Sequence, residues 1–92
     1  MSFPEEICLA RSPNALHRTI DGKAVILHAE TGTYFSLNAL GSRIWGLLEN
    51  GATLSALCSA LLEEFEVAPD VLRTDVSAFL SELESAALVR RS

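Results

Sequence analysis

The apolar residues change their period at Asn38, and that change constrains the fold more than any other feature of the chain. Before it, "KAVILHA" at 23–29 and "TYFSL" at 33–37 are β-branched, aromatic and apolar, and read as strands. After it, Leu40, Ile44, Leu47 and Leu48 recur at helical spacing, with Trp45 alongside. Strands first and helices second, in separate blocks, is an α+β pattern.

The punctuation agrees with that order. "ICLA" at 7–10 reads as a short first strand, and Ser12-Pro13-Asn14 as a turn. Asp21-Gly22 is the strongest hairpin dipeptide in the chain, and Gly32 can take positive φ in the next turn. Two-residue alternation would place Val25 and Leu27 on the same side as Phe35 and Leu37 of the neighbouring strand. Asn38 is a good N-cap, and Asn50-Gly51 a usual helix end. Thr53 caps a second helix whose stripe is Leu54, Leu57, Cys58, Leu61, Leu62 and Phe65, with Glu63, Glu64 and Glu66 on the wet side. "VAPD" at 67–70 breaks it, and Pro69 opens a third. The third stripe is Leu72, Val76, Phe79, Leu80, Leu83 and Ala87, with Asp75 beside it. Arg90 and Arg91 are expected near the C-terminus of that helix, where cations are favoured.

The expected architecture is therefore α+β and winged-helix-like: a three-stranded antiparallel sheet followed by three helices. The 92 residues suit one domain, 1–92, with 1–6 a flexible lead-in. Apolar residues at 49% and charged residues at 21% argue against disorder.

Charge and motifs exclude several functions. A net charge of −5 opposes nucleic acid and anionic membrane surfaces. The third helix, carrying Asp70, Asp75, Glu82 and Glu84 with Arg73, is a poor recognition helix for DNA. No signal peptide or membrane-length apolar run is visible, so a cytoplasmic protein is expected. Cys8 and Cys58 read as reduced thiols, Cys58 inside a helical stripe; a bridge between them is the alternative. His17 and His28 have no partner at metal-ligand spacing and read as surface or strand-edge residues. The five glycines are too scattered for a phosphate loop. No catalytic residue, metal or cofactor is expected.

Binding remains. "TYFSL" carries no charge to blunt an edge, and an edge strand is a liability unless protected or used. Two readings fit: an edge that accepts a peptide strand, or an internal hairpin strand in which Tyr34 merely packs.

The ordered set Gly32, Tyr34, Phe35, Leu37, Asn38, Ile44 and Trp45, continued through "GATL" and "VAPD", resembles the PqqD-like family of recognition elements from ribosomally made, modified peptide pathways. The resemblance spans about residues 20–89. It implies a non-catalytic protein that binds the leader segment of a precursor peptide as a strand beside the third strand, in a groove completed by the third helix. By position, it implies a groove lined by Tyr34, Phe35, Ser36, Leu37, Leu72, Asp75, Val76 and Phe79. For Trp45 the core is the favoured place. The Tyr34-Phe35 pair is more similar to the discrete recognition proteins of lasso-peptide clusters than to the member serving the quinone cofactor pathway. The implied partners are the precursor leader peptide, a leader peptidase and a cyclase. Alternatives are a carrier for another such pathway, quinone cofactor synthesis included, or an acidic winged-helix interaction module. Ala68 stands where Asp usually precedes the proline, which weakens one cap by about 1 kcal/mol.

Overall fold

The computed structural model describes residues 6–91. The lead-in expected at 1–6 falls, but for Glu6, outside them. In chain order the elements are β1 (Cys8–Arg11), β2 (Ala15–Ile20), β3 (Lys23–His28), β4 (Tyr34–Ser36), α1 (Ala39–Leu47), β5 (Ala52–Thr53), α2 (Leu54–Glu64), α3 (Pro69–Ser85) and β6 (Val89–Arg91). A 3-10 turn at Leu48–Asn50 follows α1, and Gly51 closes it at φ 82°.

The strands form two antiparallel sheets, β2-β3-β4 and β5-β1-β6. The first, with three helices after it, is the expected winged-helix-like α+β plan. β2 and β3 join through Asp21 and Gly22, both at positive φ (52° and 80°). That turn's twist matches the strands it connects.

Three expectations are corrected. Val25 and Leu27 do not share a face with Phe35 and Leu37. The register sets Ile26 opposite Phe35, and Leu27 opposite Tyr34. Ala24, Ile26 and His28 are the buried side of β3, so Val25 and Leu27 face outward. The apolar run at 24–27 hid this, because both faces of the strand look alike in sequence. His28 is buried rather than superficial. Its Nδ1 accepts from the backbone N–H groups of Glu30 and Thr31 at 3.2 and 3.3 Å, pinning the β3–β4 turn. Arg90 and Arg91 lie in β6, beside β1, and not at a helix end. α3 stops because Ala87 turns to φ 58°. The N–H groups of Leu88 and Ala87 then bond back to Leu83 and Glu84 carbonyls, a Schellman closure. Glycine usually marks that position, and here alanine stands in it.

The helix starts follow the sequence. Asn38 accepts from the Gly41 N–H at 2.8 Å, and Thr53 from the Ala56 N–H at 3.1 Å. Pro69 opens α3, and Ala68 makes no side-chain cap. Trp45 is fully buried in the core. The Arg11 guanidinium lies 4.7 Å from its ring centre and donates to the Trp45 carbonyl, tying β1 to α1. Cys8 and Cys58 are not joined in a disulfide, and burial pushes the Cys58 thiol pKa up.

Candidate functional site

Among the described residues β4 pairs with β3 alone, so its other side is an open edge. The Leu37 N–H bonds to the Ala24 carbonyl at 2.8 Å, and the His28 N–H to the Thr33 carbonyl at 2.8 Å. Backbone groups alternate in direction along an antiparallel ladder. Residues 33, 35 and 37 therefore bond inward to β3, and the N–H and C=O groups of Tyr34 and Ser36 point out along the free edge. At the end of the ladder, Ser42 Oγ accepts from the Ala24 N–H at 2.8 Å and donates to the Leu37 carbonyl at 3.4 Å. This serine stitches the first turn of α1 to the sheet and fixes where β4 ends.

Beside that edge runs a groove of about 350 Å³. β4 and its continuation supply Phe35, Ser36, Leu37 and Asn38. α1 supplies Leu40, Gly41 and Ile44, and α3 supplies Asp75, Phe79 and Glu82. The spacing from 75 to 79 to 82 is four and three, so these three form one stripe of α3. Among the described residues two carboxylates and no cation line the groove. Its walls are apolar under an acidic rim.

Five of the eight expected residues line it: Phe35, Ser36, Leu37, Asp75 and Phe79. Leu72 and Val76 do not. They belong to the other stripe of α3, with Leu80 and Leu83, and are 1% and 0% exposed in the core. Tyr34 is 65% exposed and sits on the outer face of the sheet beside Leu27. Sequence reasoning missed Asn38, Leu40, Gly41, Ile44 and Glu82. Glu82 was findable, two turns along from Asp75. Gly41 carried a weaker signal, a glycine in a first helical turn. A Cβ there would meet Asn38 Oδ1 and Leu37 Cβ at 3.3 Å and Phe79 Cζ at 3.5 Å. Its absence is what lets α1, β4 and α3 converge on the groove.

Among the described residues no group of three or more His, Cys, Asp or Glu side chains could hold a metal ion, and no helix is long and apolar enough to cross a membrane.

An antiparallel sheet with a vacant edge, set against a helical wall, defines a winged-helix-like domain shaped to take an extended chain. Residues 23–89 match the family model for coenzyme PQQ synthesis protein D (PqqD), and the chain belongs to that family. It is similar to the solved structure of TbiB1 in complex with the TbiA(beta) leader peptide. Identity there is 37% and the TM-score 0.81, over 88% of this chain and 94% of that one. A second structure, lasso peptide synthetase B1 complexed with the leader peptide, is 22% identical with a TM-score of 0.78. It covers 89% of this chain and 96% of its own, and the likeness is one of fold. No curated protein matches the chain.

Proposed function

We propose that this protein binds the leader segment of a ribosomally made precursor peptide by strand addition to β4, and presents it to the modifying enzymes of a lasso-peptide pathway. The observation that carries this is the uncharged open edge of β4 facing a groove whose far wall is α3. The relative of 37% identity, solved with a leader peptide, supports it.

Each residue then has a part. Tyr34 and Ser36 offer outward backbone groups, which set register without reading sequence. Phe35, Leu37 and Phe79 give apolar contact for leader side chains, and Leu72 and Val76 back that wall from the core. Asp75 takes a leader hydroxyl or cation at the rim. The protein performs no covalent step. Its partners are the leader, a leader peptidase and a cyclase, and it works in the cytoplasm where the precursor is made.

A carrier must hold firmly and still release, so the expected Kd lies between about 1 nM and 1 μM. Calorimetric titration with candidate leaders from the same gene cluster tests this. Saturable heat at one-to-one stoichiometry is expected. No heat and no anisotropy change with any of them would overturn the reading.

A further inference from the structure

The groove beside β4 does not end at Phe35. A second hollow of about 510 Å³ continues along α3, lined by Phe35, Ser81, Glu82, Ser85 and Ala86. Phe35 and Glu82 line both hollows, so they stand where the two meet. An extended chain that follows β4 through this trough passes between them. Glu82 is exposed, and so is Asp75, two turns earlier on the same stripe. Neither carboxylate has a hydrogen-bond or ion-pair partner among the described residues, whereas Glu64 and Glu84 each hold an arginine. An ionised carboxylate only accepts, so both are left for donors from outside the chain. The net charge of −5 adds a field that draws cations and repels anions.

We propose that Glu82, with Asp75 behind it, makes this site selective for leaders that carry a lysine or arginine two residues from an apolar anchor. The inference rests on the leader-binding reading above and adds the chemistry of the side chain that is selected. The spacing follows from the strand. Phe35 and Leu37 both line the groove, and an added strand points alternate side chains the same way, about 6.8 Å apart. The side chain beside Leu37 enters the first hollow against Phe79, where an apolar group fits. The side chain beside Phe35 meets the Glu82 carboxylate at the junction of the two hollows. A lysine or arginine suits both surfaces there, because its methylene stem lies on the Phe35 ring while its charged head reaches the acidic rim. An acidic side chain at that place would meet like charge. A glutamine keeps a donor of similar reach and loses the charge, which makes it the informative replacement.

The experiment titrates the full chain with the synthetic leader peptide encoded in the same gene cluster, and with copies in which each lysine or arginine is replaced singly by glutamine. One replacement should lower affinity about fivefold at low salt, and the others less than about twofold. Glu82→Gln should cost the parent leader the same factor, flatten the salt dependence of Kd, and be indifferent to that one replacement. Glu82→Lys should reverse the preference and bind better a leader with glutamate at that position. Glu63→Gln, at an exposed glutamate of α2 outside the groove, removes the same net charge and should leave leader affinity unchanged. A leader that binds without any basic residue overturns the inference, and so do glutamine copies and Glu82→Gln that all bind as the parent pair does; the leader-binding function stands in either case. Equal losses from Glu63→Gln and Glu82→Gln also overturn it, since net charge alone would then account for the effect. No binding of any leader by the unmodified protein would remove the function itself, and this inference with it.

Discussion

Among the described residues the β2-β3-β4 sheet has two free edges, and they differ. β2 is six residues long and carries His17 and Arg18, and the His17 ring stands edge-on to Trp45 of α1, 6.1 Å between centroids. β4 is three residues long, carries no charge, and opens on a groove shared with α1 and α3. A foreign strand would find unpaired N–H and C=O groups at either edge. Backbone bonds exchanged with water are worth only about 0.5–1.5 kcal/mol each, so an edge alone recruits weakly. Beside β4 the same strand can also bury apolar side chains against Phe35, Leu37 and Phe79. The groove beside β4 is what makes that edge the better strand acceptor, although it is the shorter one.

The largest test of that contrast is a matched pair of prolines. Ser36→Pro removes an outward donor from β4 and should abolish measurable leader binding by calorimetry. Thr19→Pro does the equivalent on β2, where the ladder likewise leaves residue 19 facing outward, and should change leader affinity less than about twofold. Equal losses from both would dissolve the distinction between the edges. Next come the two stripes of α3. Leu72→Ala should lower unfolding free energy by about 2–5 kcal/mol in urea melts, as expected for a fully buried leucine. Phe79→Ala, half-buried on the groove side, should cost less stability and about tenfold in leader affinity. The reverse ranking would move the groove to the wrong side of the helix. Gly41→Ala is subtler. Alanine favours the helix by up to about 1 kcal/mol, and the crowding of Asn38 and Leu37 opposes that gain. Stability should stay near the parent value while leader affinity falls several-fold.

The smallest effect is the pH dependence of stability. Arg43 meets Glu64 at 2.8 Å and Arg91 meets Glu84 at 2.7 Å. Hydrogen bonding to the arginine holds each glutamate below the usual carboxylate range. A carboxylate whose folded pKa is depressed adds stability above its unfolded pKa, and loses it as pH falls through the folded one. Melting temperature should therefore be flat near neutrality and decline slightly below about pH 4.5. Glu84→Gln should remove part of that decline. Neither pair lies on β2 or β4, so the contrast between those strands should survive acidification until the fold itself fails.

Much of this was legible in the sequence because it is local. Asp21-Gly22 specified a hairpin, Asn38 and Thr53 specified helix starts, and Pro69 a third, each through backbone geometry within four residues. Period alone gave the core of both stripes, Leu54, Leu57, Cys58 and Leu61 in α2 and Leu72, Val76, Leu80 and Leu83 in α3, but Leu62 is 40% exposed, Phe79 lies on the groove side and Ala87 lies beyond the end of α3. The second sheet was not legible: β5 and β6 are two and three residues long and have no pattern of their own. They exist because β1 lies between them. The helix end before β6 escaped notice because Ala87 holds a conformation that glycine usually marks.

The sequence by itself determined the hairpin at Asp21-Gly22 and the starts of the three helices, since φ/ψ preference, capping and period are properties of neighbouring residues. Tertiary packing decided the rest. It chose Ala24, Ile26 and His28 over Val25 and Leu27 as the inner face of β3, in a strand where both faces are apolar enough to be buried. It sent Leu72 and Val76 to the core and Asp75, Phe79 and Glu82 to the groove, two stripes a quarter-turn or so apart on one helix. Which stripe faces the open strand depends on how α3 is rotated against α2 and the sheet, and that rotation is a compromise among distant side chains that no local stretch encodes.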